Sequence, residues 1–175
     1  MKRTVKTEAI VLKKRSLPNQ DTICSLFSKE LGKVNAFAKG IKKITSRRLP
    51  HVQTANLIET VLYKKDNNFY LQETTLISGF SQIKKDADKI QILYRFFFVL
   101  ERLLPENQSE PAVFNLALNF LVELSENSSS DISLLTKYLN NILRLLGYSK
   151  EDKPYEEITR TIEEIIHEKI PELHI

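Results

Sequence analysis

A chain of 175 residues, 42% hydrophobic and 27% charged, holds enough apolar side chain for one good-sized core or two small ones, and too much for wholesale disorder. Its single cysteine, Cys24, excludes an internal disulfide and a thiolate-only zinc site, and fits a reducing compartment. The net charge of +4 hides a split: residues 1–82 carry fifteen Lys/Arg against six Asp/Glu, a net of +9, while residues 83–175 carry eleven against sixteen, a net of −5.

Such a split predicts two modules with different partners, the front one with a field suited to phosphates. The basic start, Met1-Lys2-Arg3, is followed by no uninterrupted apolar run, because Glu8, Lys13 and Lys14 break it. The most apolar stretch, Phe96 to Leu100, closes at Glu101 and Arg102, far short of the ~20 residues a membrane span needs. A soluble, cytoplasmic protein with no membrane partner is expected.

The front half predicts five short strands. Thr4 to Lys13 is rich in β-branched residues, and Asp21 to Ser28 carries the strand formers Ile23 and Phe27. Lys29-Glu30-Leu31-Gly32 turns the chain, with Gly32 free to take the positive φ such turns need. Lys33 to Lys39 then pairs back, with Val34, Ala36 and Ala38 on one face and Asn35, Phe37 and Lys39 on the other. Ala55 to Lys64 and Phe69 to Ile77 flank Lys65-Asp66-Asn67-Asn68, a hairpin turn rich in Asp and Asn. Five strands in about eighty residues suffice for a small barrel or sandwich.

Near Gly79 the period changes from two to about 3.6. Ile83 to Leu104 predicts one helix with Ile90, Leu93, Phe97, Leu100 and Leu104 on a stripe, ended by Pro105. A second helix starts after Ser109, with Pro111 at or near its first position, and runs to about Glu126. After a polar serine loop, Asp131 is placed to cap a third helix presenting Leu135, Tyr138, Leu139, Ile142, Leu145 and Leu146, which stops at Gly147. A last helix spans about Tyr155 to Glu168. The fold class is α+β, a strand-rich front followed by an all-α back.

The richest stretch for chemistry is Gly32 to Arg48, where residues 33–48 hold six basic side chains and no acidic one. Lysines and arginines on a strand edge and its exiting loop can track a phosphate backbone and release counterions, and an interleaved Phe37 can stack on a base. Equally, the run fits a solvated loop with Phe37 in the core. Lys13, Lys14 and Arg15 add three charges in what reads as the first loop. Catalytic sets are missing. His51, His167 and His174 are scattered, and four glycines offer no Walker-type loop or dinucleotide fingerprint. Asp86 and Asp88 sit where they answer a helix dipole rather than hold magnesium. No cofactor, no metal and no enzymatic activity are expected.

Several short runs carry a resemblance: Glu8-Ala9-Ile10-Val11-Leu12-Lys13, Asp21-Thr22-Ile23-Cys24-Ser25-Leu26-Phe27-Ser28, and Leu31 to Gly40 (Leu-Gly-Lys-Val-Asn-Ala-Phe-Ala-Lys-Gly), with Ser46-Arg47 beyond. Together they resemble the N-terminal OB-fold of the RecO recombination-mediator family, and Leu143-Arg144-Leu145-Leu146-Gly147-Tyr148 resembles the end of a core helix in its helical domain. The resemblance implies a five-stranded OB barrel over 1–82 and a helical domain over 83–175. It also implies a non-enzymatic protein that binds single- and double-stranded DNA and anneals strands. Working with RecR, such a protein loads RecA onto strands coated by single-stranded-DNA-binding protein, whose C-terminal tail docks on the helical domain. The basic positions matching the family's binding surface are Lys33, Lys39, Lys42, Lys43, Arg47 and Arg48, with Lys13, Lys14 and Arg15 beside them. Many members insert a cysteine-rich, often zinc-binding module after the Leu-Gly-Tyr helix end. Here Tyr148 leads straight through Pro154 into the last helix and no cysteine follows Cys24, so a short member without zinc is expected. The alternative from another class is a helical protein-interaction adaptor whose basic barrel has weak or lost DNA affinity.

Overall fold

The computed structural model describes residues 3–19, 21–41, 47–128 and 132–172. Two compact units form: residues 1–79 with 105–114, and residues 80–104 with 115–175.

Five strands build the first unit: β1 (Thr4–Ser16), β2 (Thr22–Ser28), β3 (Gly32–Ala38), β4 (Leu57–Lys65) and β5 (Asn68–Ser78). They close into a barrel in the order β1-β2-β3-β5-β4, antiparallel except for the parallel β3–β5 pair that pins Ala36 to Phe69 and Phe37 to Tyr70. This is the expected five-stranded OB layout. Gly32 takes φ 75° between β2 and β3, and Asp66 takes φ 54° in the β4–β5 hairpin, as their turn positions predict. Ala9, Val11, Cys24, Leu26, Val34, Ala36, Ala38, Ile58, Leu62 and Leu71 fill the interior. Val34, Ala36 and Ala38 are buried while Asn35 is exposed and Phe37 half-buried, so the predicted alternation of β3 holds.

One strand is longer than its sequence suggests. Lys13, Lys14 and Arg15 lie on β1, opposite Ser25, Cys24 and Ile23, and not in the first loop. A β-bulge between Val11 and Lys13 resets the register, which lets the strand carry three consecutive cations past the last core residue. Only long-range pairing with β2 reveals this, because Lys-Lys-Arg has no apolar alternation of its own.

A second feature escapes local reading. Residues 105–114 return to the barrel as a strap. Asn107 N–H donates to the Lys33 carbonyl at 2.9 Å, the Ser109 hydroxyl donates to the Lys29 carbonyl at 3.1 Å, and Asn35 Nδ2 donates to Glu106 Oε1 at 3.3 Å. Phe114 then packs edge-on against Phe27, with ring centroids 5.5 Å apart. The strap thereby occupies the stretch of β3 that β5 leaves unpaired, covering an edge that would otherwise invite another chain.

The second unit is helical. Where one helix over 83–104 is predicted, two occur: α1 (Ser81–Lys84) and α2 (Ala87–Leu103). Asp86 separates them. Its extended backbone (φ −121°) lets its carboxylate accept the N–H groups of Asp88 and Lys89, which begins a new helix there. The buried face of α2 runs through Ile92, Phe96, Val99 and Leu103 as well as Leu93, Phe97 and Leu100, leaving Ile90 half-buried. α3 (Pro111–Glu126) starts at the expected proline, α4 (Ile132–Leu145) ends just before Gly147, and α5 (Tyr155–Ile166) follows. The proposed cap Asp131 lies outside the described residues. Phe96 stacks on Phe120 at 3.9 Å, and Tyr138 meets both rings edge-on. Leu145, expected in this core, is 48% exposed, and Leu143 and Leu134 are buried instead. Among the described residues no helix is long and apolar enough to cross a membrane.

Candidate nucleic-acid interface

The barrel's outer surface divides in two. Around β1 and β2, Ile10 and Phe27 alternate with core residues yet are fully buried, Phe27 beneath Phe114 of the strap. Further along the same strands the outer face is open. There the pairing lines up Arg15 on β1, Ile23 on β2, Phe37 on β3 and Tyr70 on β5, because directly opposed residues point to the same side of a sheet. A parallel row holds Lys13, Ser25 and Asn35. Lys13, Arg15, Ile23, Ser25 and Asn35 together line a shallow cavity of about 340 Å³.

Seven of the nine predicted basic residues fall among the described residues. Lys13 and Arg15 are exposed on the open face. Lys39 is exposed just past the end of β3, with its ammonium 5.2 Å from the Tyr70 ring centroid. Lys14 points away from the row, donating from Nζ to Gln53 Oε1 at 2.9 Å. Lys33 is half-buried opposite Phe27 and beside the strap. Arg47 is exposed. Arg48 is half-buried and donates to the Leu71 carbonyl at 2.9 Å and the Lys39 carbonyl at 2.6 Å. Its charge therefore serves first to hold the exit of β3 against β5, a role that a freely exposed loop does not predict. Lys42 and Lys43 lie outside the described residues.

Asp21 assists the same exit, its Oδ1 accepting the Gly40 N–H at 3.2 Å. The half-buried Ile23 and Tyr70 and the buried Ser25 are the outer-face residues that sequence reasoning missed. For Ile23 and Ser25 the signal was present in the register of β2 against β3, whereas Tyr70 depends on a parallel pairing that no local pattern announces. Phe37 belongs to the outer face and not to the core.

Inside the barrel, burial pushes the Cys24 thiol up to about 11, outweighing the pull of the nearby Lys14 and Arg48 charges. Such a thiol is held in its protonated form at neutral pH. Among the described residues no cluster of three or more His, Cys, Asp or Glu is placed to hold a metal ion.

Comparison with known proteins bears on the same region. Residues 1–80 match the family model described as Recombination protein O N terminal. The chain is similar to the DNA repair protein RecO of a Thermoanaerobacter species, 29% identical over 146 residues that make up 83% of this chain and 59% of that relative. The DNA repair protein RecO of Caldanaerobacter subterraneus is related to the same degree, 29% identical over 146 residues with the same coverage. A Dehalococcoides mccartyi DNA repair protein RecO is 30% identical over 150 residues, 83% of this chain and 57% of its own. The chain thus spans somewhat under three fifths of the length of these curated relatives. Residues 1–80, which hold the closed OB barrel, thus match the N-terminal model of the RecO family, and most of the chain is similar to DNA repair proteins RecO.

Proposed function

We propose that this chain is a non-enzymatic, cytoplasmic DNA-binding protein of recombinational repair, whose barrel grips the phosphate backbone on its open face. The reading rests chiefly on one observation: Lys13 and Arg15 stand exposed on that face around one cavity, with Lys39 beside Tyr70 past the end of β3, in a half of the chain that carries net +9. Cations in a row along a groove release condensed counterions from a nucleic acid, which gives affinity without sequence preference. Similarity to the RecO proteins extends the reading. The protein anneals complementary strands and works with RecR to load RecA onto DNA coated by single-stranded-DNA-binding protein, whose C-terminal tail meets the helical unit.

Two measurements test this. Fluorescence anisotropy with single-stranded and duplex oligonucleotides should give affinities that fall steeply and linearly on a log–log plot against salt. A strand-annealing assay with and without single-stranded-DNA-binding protein should show acceleration that survives the coated strands. Salt-insensitive or absent binding would overturn the reading in favour of a protein-interaction adaptor.

A further inference from the structure

Charge alone does not account for the open face of the barrel. Phe37 and Tyr70 lie side by side across the β3–β5 junction, ring centroids 5.6 Å apart and planes inclined by 29°. Both are half-buried, unlike the fully buried Phe27 on the covered part of the surface. Lys39 holds its ammonium over the Tyr70 ring at 5.2 Å, and Arg48 fixes the Lys39 carbonyl. From Arg15 to Tyr70 the row crosses three strand spacings, about 14 Å in all, with Ile23 between the cation and the rings.

We propose that the Phe37–Tyr70 pair is a stacking platform for unpaired bases of a DNA strand whose phosphates run past Arg15, Lys13 and Lys39. The inference rests on the DNA-binding reading above and adds what that reading lacks, a reason to distinguish single strands from duplex. Every base has a π-face, so an aromatic shelf beside a cationic track accepts any sequence. A duplex keeps its bases stacked on one another and presents only phosphates to such a surface. Ile23 extends the apolar strip towards the cations, and the fixed Lys39 keeps one charge beside the rings. Buried rings would be unavailable, and solitary ones would offer half the surface. These two are neither.

The test uses the full chain and three fluorescein-labelled probes of about 16 nucleotides, within the range OB folds occupy: a thymidine strand, an abasic strand of equal length, and a matching duplex. The parent should bind the thymidine strand about five- to one-hundred-fold more tightly than the abasic strand, and its tyrosine fluorescence should be quenched by the former alone. In Phe37→Leu/Tyr70→Leu the preference should vanish while the salt slope stays that of the parent, since the phosphate contacts remain. Equal parental binding to thymidine and abasic strands overturns the platform but leaves the DNA reading intact. So does a folded double variant that retains the preference. Absence of salt-dependent binding to all three probes overturns the DNA reading, and the platform with it. Should the double variant fail to fold, the parental comparison and the quenching decide alone.

Discussion

Arg15 and Arg48 carry the same charge and do different work. Arg15 is exposed beside the cavity, whereas Arg48 spends its guanidinium on the carbonyls of Leu71 and Lys39. Arg15→Ala should therefore lower the slope of log affinity against log salt by about 0.7 on single strands, with urea unfolding unchanged within about 0.5 kcal/mol. Arg48→Ala should instead cost about 1–3 kcal/mol of stability, because it strands the partly buried Leu71 carbonyl and also loses the bond to the Lys39 carbonyl. The paired unfolding and anisotropy curves separate the two. Cys24 offers a pH probe of the interior. Its folded-state value is raised from 9.0 to about 11, so its contribution to stability is complete below about 9 and is lost as pH rises towards about 11, where the unfolded chain ionises first. Urea midpoints taken between pH 8 and 11 (roughly the titration window of a buried thiol) should fall less steeply in Cys24→Ala than in the parent. Identical slopes would mean the thiol is solvated in the folded barrel.

At the scale of elements, two stops and starts are set by single residues. Asp86 caps α2 through Asp88 and Lys89, and Asp86→Ala should cost about 0.5–2 kcal/mol, read as a lower thermal midpoint. Gly32 takes positive φ, and a Cβ there would fall 1.8 Å from the Gln108 carbonyl oxygen of the strap. Backbone cannot yield as a side chain does. Gly32→Ala should consequently dislodge residues 106–109 and speed hydrogen exchange at Asn107, whose amide is bonded to Lys33; unchanged protection would refute this. The hairpins β2–β3 and β4–β5 were legible because Gly32 and Asp66-Asn67-Asn68 punctuate period-two runs, and α3 was legible from Pro111. The tail of β1 and the strap were not, since a solvated cationic strand end and a partner seventy residues away leave no local pattern.

At the scale of the molecule, charge marked the basic half, yet the geometry of its open face came only from pairing. Lys13, Arg15 and Lys39 were legible as cations; that they share a face with Phe37 and Tyr70 follows from the bulge and from the parallel closure of the barrel. The inward duty of Arg48 depends on carbonyls brought near by folding and was equally hidden. The pattern change near Gly79 hid a further point, since residues 105–114 group with the barrel. A fragment ending at residue 82 loses the hydrogen bonds of Asn107 and Ser109 and bares Phe27, which Phe114 packs against in the full chain. It should unfold at lower urea and bind a hydrophobic dye, whereas the barrel amides of the full chain should exchange slowly. A fragment as stable as the barrel in the intact chain would show the strap to be dispensable.

The strap also bears on how the chain is made. A ribosome delivers β1 to β5 first, then twenty-five residues that belong elsewhere, and only then the segment that bonds back to Lys29 and Lys33 across sequence separations of about seventy to eighty residues. Until that segment leaves the exit tunnel, the first half of β3 has a free edge and Phe27 is uncovered, so the nascent barrel passes through an interval of exposure that the finished protein never shows. Translation speed through residues 80–114 thus sets how long that window stays open to other chains and to chaperones.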